Sequence, residues 1–215
     1  MEGTDAVFDL CFKEILELAS SRSHVPGGGS VAAMSAALGA SMGAMVANLT
    51  VGKKGCEESR GEAEGTAAAF GEGIAELEEL TRGDMSAFDG LLLAYRLPKA
   101  TDDERKARAG EILKRSAEAA LAPLRISAKA AELLKLNRRL AEFGNPSAVN
   151  DCAVAAVILE ASGRAAMLSV DVNLPALDDP VMLKDIKDRR ASILGEAEAA
   201  MLETLDIVAR RNKPL

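Results

Sequence analysis

The sequence predicts an all-α protein: a single elongated bundle of about six long antiparallel helices, with residues 1–215 forming one domain. Three observations carry this. Hydrophobic residues make up 48% of the 215, yet aromatics only 3%. Ala, Leu, Val and Met therefore dominate; Ala and Leu favour helices, and strand-favouring aromatics are scarce. Apolar residues also recur at alternating steps of three and four over long stretches, the signature of a buried helix face. Finally, only short Pro- and Gly-bearing breaks separate those stretches, and no linker, low-complexity tract or repeat intervenes.

The elements follow in order. A first helix is expected from Asp5 to Ser21, with Phe8, Cys11, Ile15 and Leu18 on one face, until SRSHVPGGG stops it. Ser30 is the expected N-cap of a second helix reaching Thr50 and ended by Gly52. Along it Ser35, Gly39, Gly43 and Ala47 form a stripe of little bulk that lets another backbone approach, within one bundle or across a dimer. The third helix carries the longest inward seam: Phe70, Ile74, Leu77, Thr81, Asp84, Phe88, Leu91 and Tyr95, halted at Leu97-Pro98. Thr101 with Glu104 is a capping box opening a fourth helix that runs to Phe143, kinks at Pro123 and ends at Gly144. A fifth begins between Ser147 and Asp151 and carries a second predicted inward seam of Asp151, Val154, Ile158, Ala161, Ala165, Leu168 and Val172. After LPALDDP, Pro180 is placed early in a sixth helix running almost to the end.

Composition excludes several classes. A net charge of −7, with five Phe, one Tyr and no Trp, offers neither the cationic surface nor the stacking platform of a nucleic-acid binder. Cys11, Cys56 and Cys152 are few, odd in number and scattered, as expected of free thiols in a reducing, cytoplasmic setting rather than of a disulfide or zinc framework. The acidic start MEGTDAVFDL has no basic n-region, so no signal peptide is expected. Val25 to Gly52 is uncharged and long enough to span a bilayer, but its Ala, Gly, Ser, Asn and Thr insert weakly. A helix buried in a bundle is the expectation, with no membrane partner.

Candidate chemistry sits at a few positions. Asp84 and Asp151 occupy seam positions where hydrophobes are expected. A carboxylate facing an apolar interior either finds a partner or takes up a proton, and a raised pKa suits a general acid/base near neutrality. Asp84 is thus either catalytic or a satisfied structural acid; Asp151, close to a helix start, reads as structural. In PGGGS, Gly27, Gly28, Gly29 and Ser30 allow positive φ and bring N–H groups to a helix N-terminus, which suits an anion or ligand carbonyl as well as a tight turn. His24, the one histidine, reads as an exposed loop residue or an acid/base. Lys53 and Lys54 complement the end of the second helix and offer positive charge to an anionic ligand. No metal-ligand spacing is present.

Taken in order, PGGGSVAAMSAALGASMGAMVANLTVGKK, DMSAF, YRLPKATDDE, GNPSAVNDCAVAA and VNLPALDD resemble the cyclodeaminase domain of the formiminotransferase-cyclodeaminase family. That family includes stand-alone cyclodeaminases and methenyltetrahydrofolate cyclohydrolases, and the likeness runs from about Leu10 to Arg211. The resemblance implies an all-α fold, commonly a homodimer, acting on one-carbon derivatives of tetrahydrofolate with no cofactor or metal beyond the folate. The aspartate four residues before the Phe, here Asp84, is implied as catalytic, the residue that the seam singled out separately. Gly27, Gly28, Gly29 and Ser30 are implied to approach the folate, Lys53 and Lys54 to meet its glutamate carboxylates, and Asn145, Asn150 and Asp151 to contact the pterin. The chain departs from the family pattern at Cys56, at Arg82 and at Ser169, where an asparagine is common.

Three functions follow: a lyase releasing ammonia from formiminotetrahydrofolate, a hydrolase opening methenyltetrahydrofolate, or a non-catalytic folate-binding or scaffold dimer. Asp84 speaks against the last, because a scaffold would gain more from a hydrophobe in the seam.

Overall fold

The computed structural model describes residues 7–212, among which six α-helices and three short 3-10 turns carry the fold and no strand occurs. The helices are α1 (Phe12–Ala19), α2 (Gly28–Thr50), α3 (Arg60–Tyr95), α4 (Asp102–Phe143), α5 (Asn150–Asn173) and α6 (Pro180–Arg211). The expected all-α bundle is the observed one. From α3 onward each helix runs antiparallel to the one before. Gly43 meets Phe70, Gly73 meets Leu133, and the Asn137 amide donates to the Cys152 carbonyl, with one partner's numbering rising as the other's falls. The 42-residue α4, about 63 Å long, touches all four other long helices and forms the spine.

The first helix is shorter than expected. Asp5 lies outside the described residues, and Val7–Asp9 forms a separate 3-10 turn. Cys11 then adopts extended backbone (ψ 154°), and its N–H donates to the Glu14 carboxylate at 2.7 Å. That capping contact starts a new helix at Phe12 instead of continuing an old one. Within α1 no residue is buried, and Phe12 and Leu16 are exposed.

The small-residue stripe of α2 works inside the chain. Added Cβ atoms would stand 3.0 Å from Ile158 at Gly39 and 2.4 Å from the Phe70 ring at Gly43. These glycines set how closely α5 and α3 approach α2. On α3 the seam holds from Phe70 through Leu91, but Tyr95 is exposed, and its neighbour Ala94 takes the buried position instead. The Thr101–Glu104 capping box opens α4, which stays helical through the buried Pro123.

On α5 the predicted inward seam is reversed. Of its members Val154, Ala161, Ala165, Leu168 and Val172 are exposed and Asp151 and Ile158 only half-buried, while Cys152, Ala155, Ala156, Leu159, Gly163, Ala166, Met167 and Val170 are buried. Both faces are apolar, so periodicity alone could not orient the helix; close packing on α2 and α4 selects the face with smaller side chains. By length and composition, Gly28–Thr50 and Asn150–Ala176 could each cross a membrane. In the fold 56% and 50% of those stretches are buried, so each is also a core helix with an outward apolar half.

The far end of α6 is tied back. Arg211 donates to the carbonyls of Ala141 (2.7 Å) and Gly144 (2.6 Å), filling acceptors left open where α4 ends. Nearer its start, Arg190 makes a two-bond pair with Asp171 of α5, both at 2.8 Å.

Candidate active site

The glycine run and Asp84 meet because α2 and α3 pack antiparallel, bringing the start of one beside the last third of the other. The N-cap of α2 is Gly27, not Ser30; the helix starts at Gly28 with extended backbone before it. Ser30 therefore lies in the first turn, fully buried, and its hydroxyl donates to Asp84 Oδ2 at 2.7 Å. None of Gly27, Gly28 or Gly29 has positive φ. Their requirement is space: a Cβ on Gly29 would stand 2.5 Å from Asp84 Oδ1, and one on Gly28 3.4 Å from Ser169 Oγ. The first-turn N–H groups of α2 have no partners within the helix, so they enrich this wall in donors.

Burial pushes the Asp84 carboxyl above the ordinary aspartate range, and the bonds from the Ser30 hydroxyl and backbone only partly offset that. It faces a cavity of about 460 Å³ lined by His24, Val25, Gly27, Gly28, Gly29, Asp84, Phe88, Ala119, Ala165, Leu168, Ser169, Val172 and Asn173. Most of this wall is apolar, with a titratable carboxylate at one side: a slot for a flat, mostly apolar ligand whose reacting atoms lie near Asp84. Among the described residues no group of three or more His, Cys, Asp or Glu is placed to hold a metal ion.

The remaining predicted site residues are elsewhere in the chain. Lys53 and Lys54 follow the opposite end of α2, roughly 34 Å from its start, and both are exposed. Asn145 is also at that end and is committed to structure. Its N–H donates to Thr50 Oγ1, its side-chain amide donates to the Leu49 carbonyl (both 2.9 Å), and its Oδ1 accepts from the Ser147 N–H at 3.0 Å. Asn150 and Asp151 open α5 nearby, where an acid complements the helix dipole. Within one chain, then, the glycines, Ser30 and Asp84 come together, and Lys53, Lys54, Asn145, Asn150 and Asp151 form a separate group.

Sequence reasoning missed most of the apolar wall. Phe88 could have been found, standing one helical turn beyond Asp84 in the same seam. Ser169 was visible only as a departure from a pattern. Leu168 and Val172 had been assigned to the interior. Asn173 spends its amide on the carbonyls of Ala119 (3.1 Å) and Ser169 (2.9 Å), bracing the cavity wall.

Residues 11–192 match the family model described as formiminotransferase-cyclodeaminase. The chain belongs to that family. It is 36% identical over 181 residues to the methenyltetrahydrofolate cyclohydrolase of Methylorubrum extorquens, covering 84% of this chain and 86% of that protein. It is 32% identical to the formimidoyltransferase-cyclodeaminase of Rattus norvegicus, covering 90% of this chain but only 36% of that longer protein. The crystal structure of the formiminotetrahydrofolate cyclodeaminase of Thermotoga maritima has the same fold, with a TM-score of 0.86 and 27% identity across 95% of this chain and 98% of that one. The family's fold is therefore retained here over nearly the whole chain.

Proposed function

We propose that the protein is a formimidoyltetrahydrofolate cyclodeaminase, converting 5-formiminotetrahydrofolate to methenyltetrahydrofolate and ammonia with Asp84 as its acid/base. The observation that carries this is the desolvated Asp84 carboxylate, held by Ser30 and facing an apolar cavity. The aniline-type nitrogen of the folate bridge attacks the formimino carbon carried on the pterin nitrogen. Asp84 takes the proton from that nitrogen and returns it to the departing amine, so ammonia leaves as the ring closes. The electrons stay within the substrate, and the step balances without an oxidant, reductant or cofactor. A carboxylate of raised pKa suits both halves of this transfer better than an ordinary surface acid. Gly27, Gly28 and Gly29 hold the ligand beside it, with Phe88, Leu168 and Val172 against the flat ring, while Ser30 fixes the carboxylate from behind.

The cyclohydrolase reading has its own support in the Methylorubrum relative, whose match spans 84% of this chain and 86% of that protein. There Asp84 would guide water onto the methenyl carbon to give formyltetrahydrofolate. Near-ultraviolet absorbance separates the two. A methenyl signal that rises with enzyme after mixing with 5-formiminotetrahydrofolate, accompanied by ammonia, supports the cyclodeaminase. A methenyl signal that enzyme only accelerates in falling supports the hydrolase. Neither response, with folate bound, would leave a binding protein.

A homodimer working in a reducing cytoplasm completes the proposal. All three cysteines are unpaired, and the outward halves of α2 and α5 are apolar.

A further inference from the structure

Pro123 sits in the middle of the 42-residue α4, and its ring nitrogen carries no hydrogen. In an unbroken helix that position donates to the carbonyl four residues back, so the Ala119 carbonyl is left without its helical partner. Ala119 is buried and lines the Asp84 cavity, a place where a bare carbonyl is costly. The gap is filled from α5: Asn173 Nδ2 donates to the Ala119 carbonyl at 3.1 Å and to the Ser169 carbonyl at 2.9 Å.

Those two acceptors fix which way the amide faces. Both Nδ2 hydrogens are spent, and the flipped amide would set Oδ1 against two carbonyl oxygens. Oδ1 is then the one polar atom that the side chain has left. An asparagine at the N-cap of a helical turn commonly turns this oxygen onto the turn's own N–H groups. Asn173 precedes the 3-10 turn Leu174–Ala176, yet it makes no side-chain capping bond there. Asn137 also donates its amide to a carbonyl, that of Cys152, but its Oδ1 is shut inside the core. Asn173 instead is half-buried and lines the cavity, and its Oδ1 keeps open surface with no partner among the described residues.

We infer that Asn173 reads the ligand: Pro123 leaves the Ala119 carbonyl open, that carbonyl locks the Asn173 amide, and the lock leaves Oδ1 as a fixed acceptor for an N–H donor on the ligand. A fixed acceptor selects. It takes a bond from a ring N–H or amino group, and it repels a carbonyl oxygen or unprotonated ring nitrogen set in the same place. That the donor is the aminopyrimidine edge of a folate rests on the folate reading; the lock does not. Holding that edge fixes where the other ring, which carries the one-carbon unit, stands relative to Asp84.

Four full-length proteins test both halves: wild type, Asn173→Ala, Pro123→Ala and the double variant. Without ligand, Asn173→Ala leaves the Ala119 carbonyl bare and should lower the melting temperature by about 2–4 °C. Pro123→Ala restores the helical N–H, so in its background the same change should cost less than half as much. An equal loss in both backgrounds overturns the lock. Binding is read by calorimetry with 5-formyltetrahydrofolate, which keeps the ring edge and cannot release ammonia. Asn173→Ala should weaken it about tenfold in either background, because the missing acceptor is not replaced by repairing the helix. Unchanged affinity when Asn173→Ala is added to Pro123→Ala overturns the ligand contact, since a brace made needless costs nothing to remove. If the wild type binds no folate, the folate reading fails and the ring contact falls with it, while the melting temperatures still decide the lock.

Discussion

The two ends of α2 are built from similar polar material and treat it oppositely. At the Thr50 end the buried polar groups are spent: Thr50 Oγ1 donates to the Val46 carbonyl at 2.7 Å and accepts from Asn145, whose own amide is engaged on both sides. At the Gly28 end, Asp84 keeps a titratable oxygen on a cavity, desolvated and held by Ser30. Saturated polar groups hold a corner together, and an unsaturated one is left to act on something else. The lesson is that proximity to a conspicuous motif says less than whether a residue's hydrogen bonds are already taken.

That contrast can be broken at the active end first. Asp84→Asn keeps shape and an acceptor for Ser30 but cannot carry the proton, so turnover should fall by about 10²–10⁴-fold, as measured by the methenyl absorbance. Folding should respond in the other direction. Because burial raises the folded-state pKa of Asp84, its stabilising contribution is present when the carboxyl is protonated and is lost as pH rises through that raised value. The melting temperature of Asp84→Asn relative to wild type should therefore climb from acidic to alkaline buffer. A constant difference would show that Asp84 ionises without penalty.

Next comes Gly29→Ala. Its Cβ would displace the Asp84 carboxylate, the free end of a side chain, so the protein should fold while turnover drops by about tenfold or more. Gly28→Ala, at 3.4 Å from Ser169 Oγ, should do much less. Equal effects from the two would mean that the glycine run acts through its backbone alone. In the middle of the helix, Gly43→Ala forces the buried Phe70 ring to move and should cost about 1–3 kcal/mol in denaturant unfolding. At the saturated end, Asn145→Ala deletes two side-chain bonds and should cost about 1–2 kcal/mol. The smallest effect is a null one. Burial pushes the Cys152 thiol up to about 12, so in native protein a maleimide should label Cys11 and leave Cys152 untouched until unfolding.

How much of this was legible beforehand differs by element. The α3 seam was readable because a charged residue interrupted an otherwise apolar face, and the interruption was Asp84. The α5 seam was not, since a helix apolar on both sides carries no periodic contrast to say which side faces in. The glycines were noticed for the wrong property: sequence suggests free backbone angles, whereas a neighbour's carboxylate demands an absent side chain. Asn145, Asn150 and Asp151 share a motif and a corner, but the 23 residues of α2 separate that corner from the cavity, a length that motif order does not reveal. The break before α1 hung on a single bond from the Cys11 N–H to Glu14, too local for a face pattern to register.

The reach of Arg211 carries a consequence for how the molecule is made. On a ribosome α2 to α5 emerge first and can pack on one another before α6 arrives to cover α4 and α5. The corner after α4 cannot finish with them. Its two bare carbonyls, at Ala141 and Gly144, wait for a guanidinium about seventy residues downstream. The loop bearing Asn145 thus has its own bonds to Thr50 and Leu49 from the start, and only its outer carbonyls wait for the end of the chain.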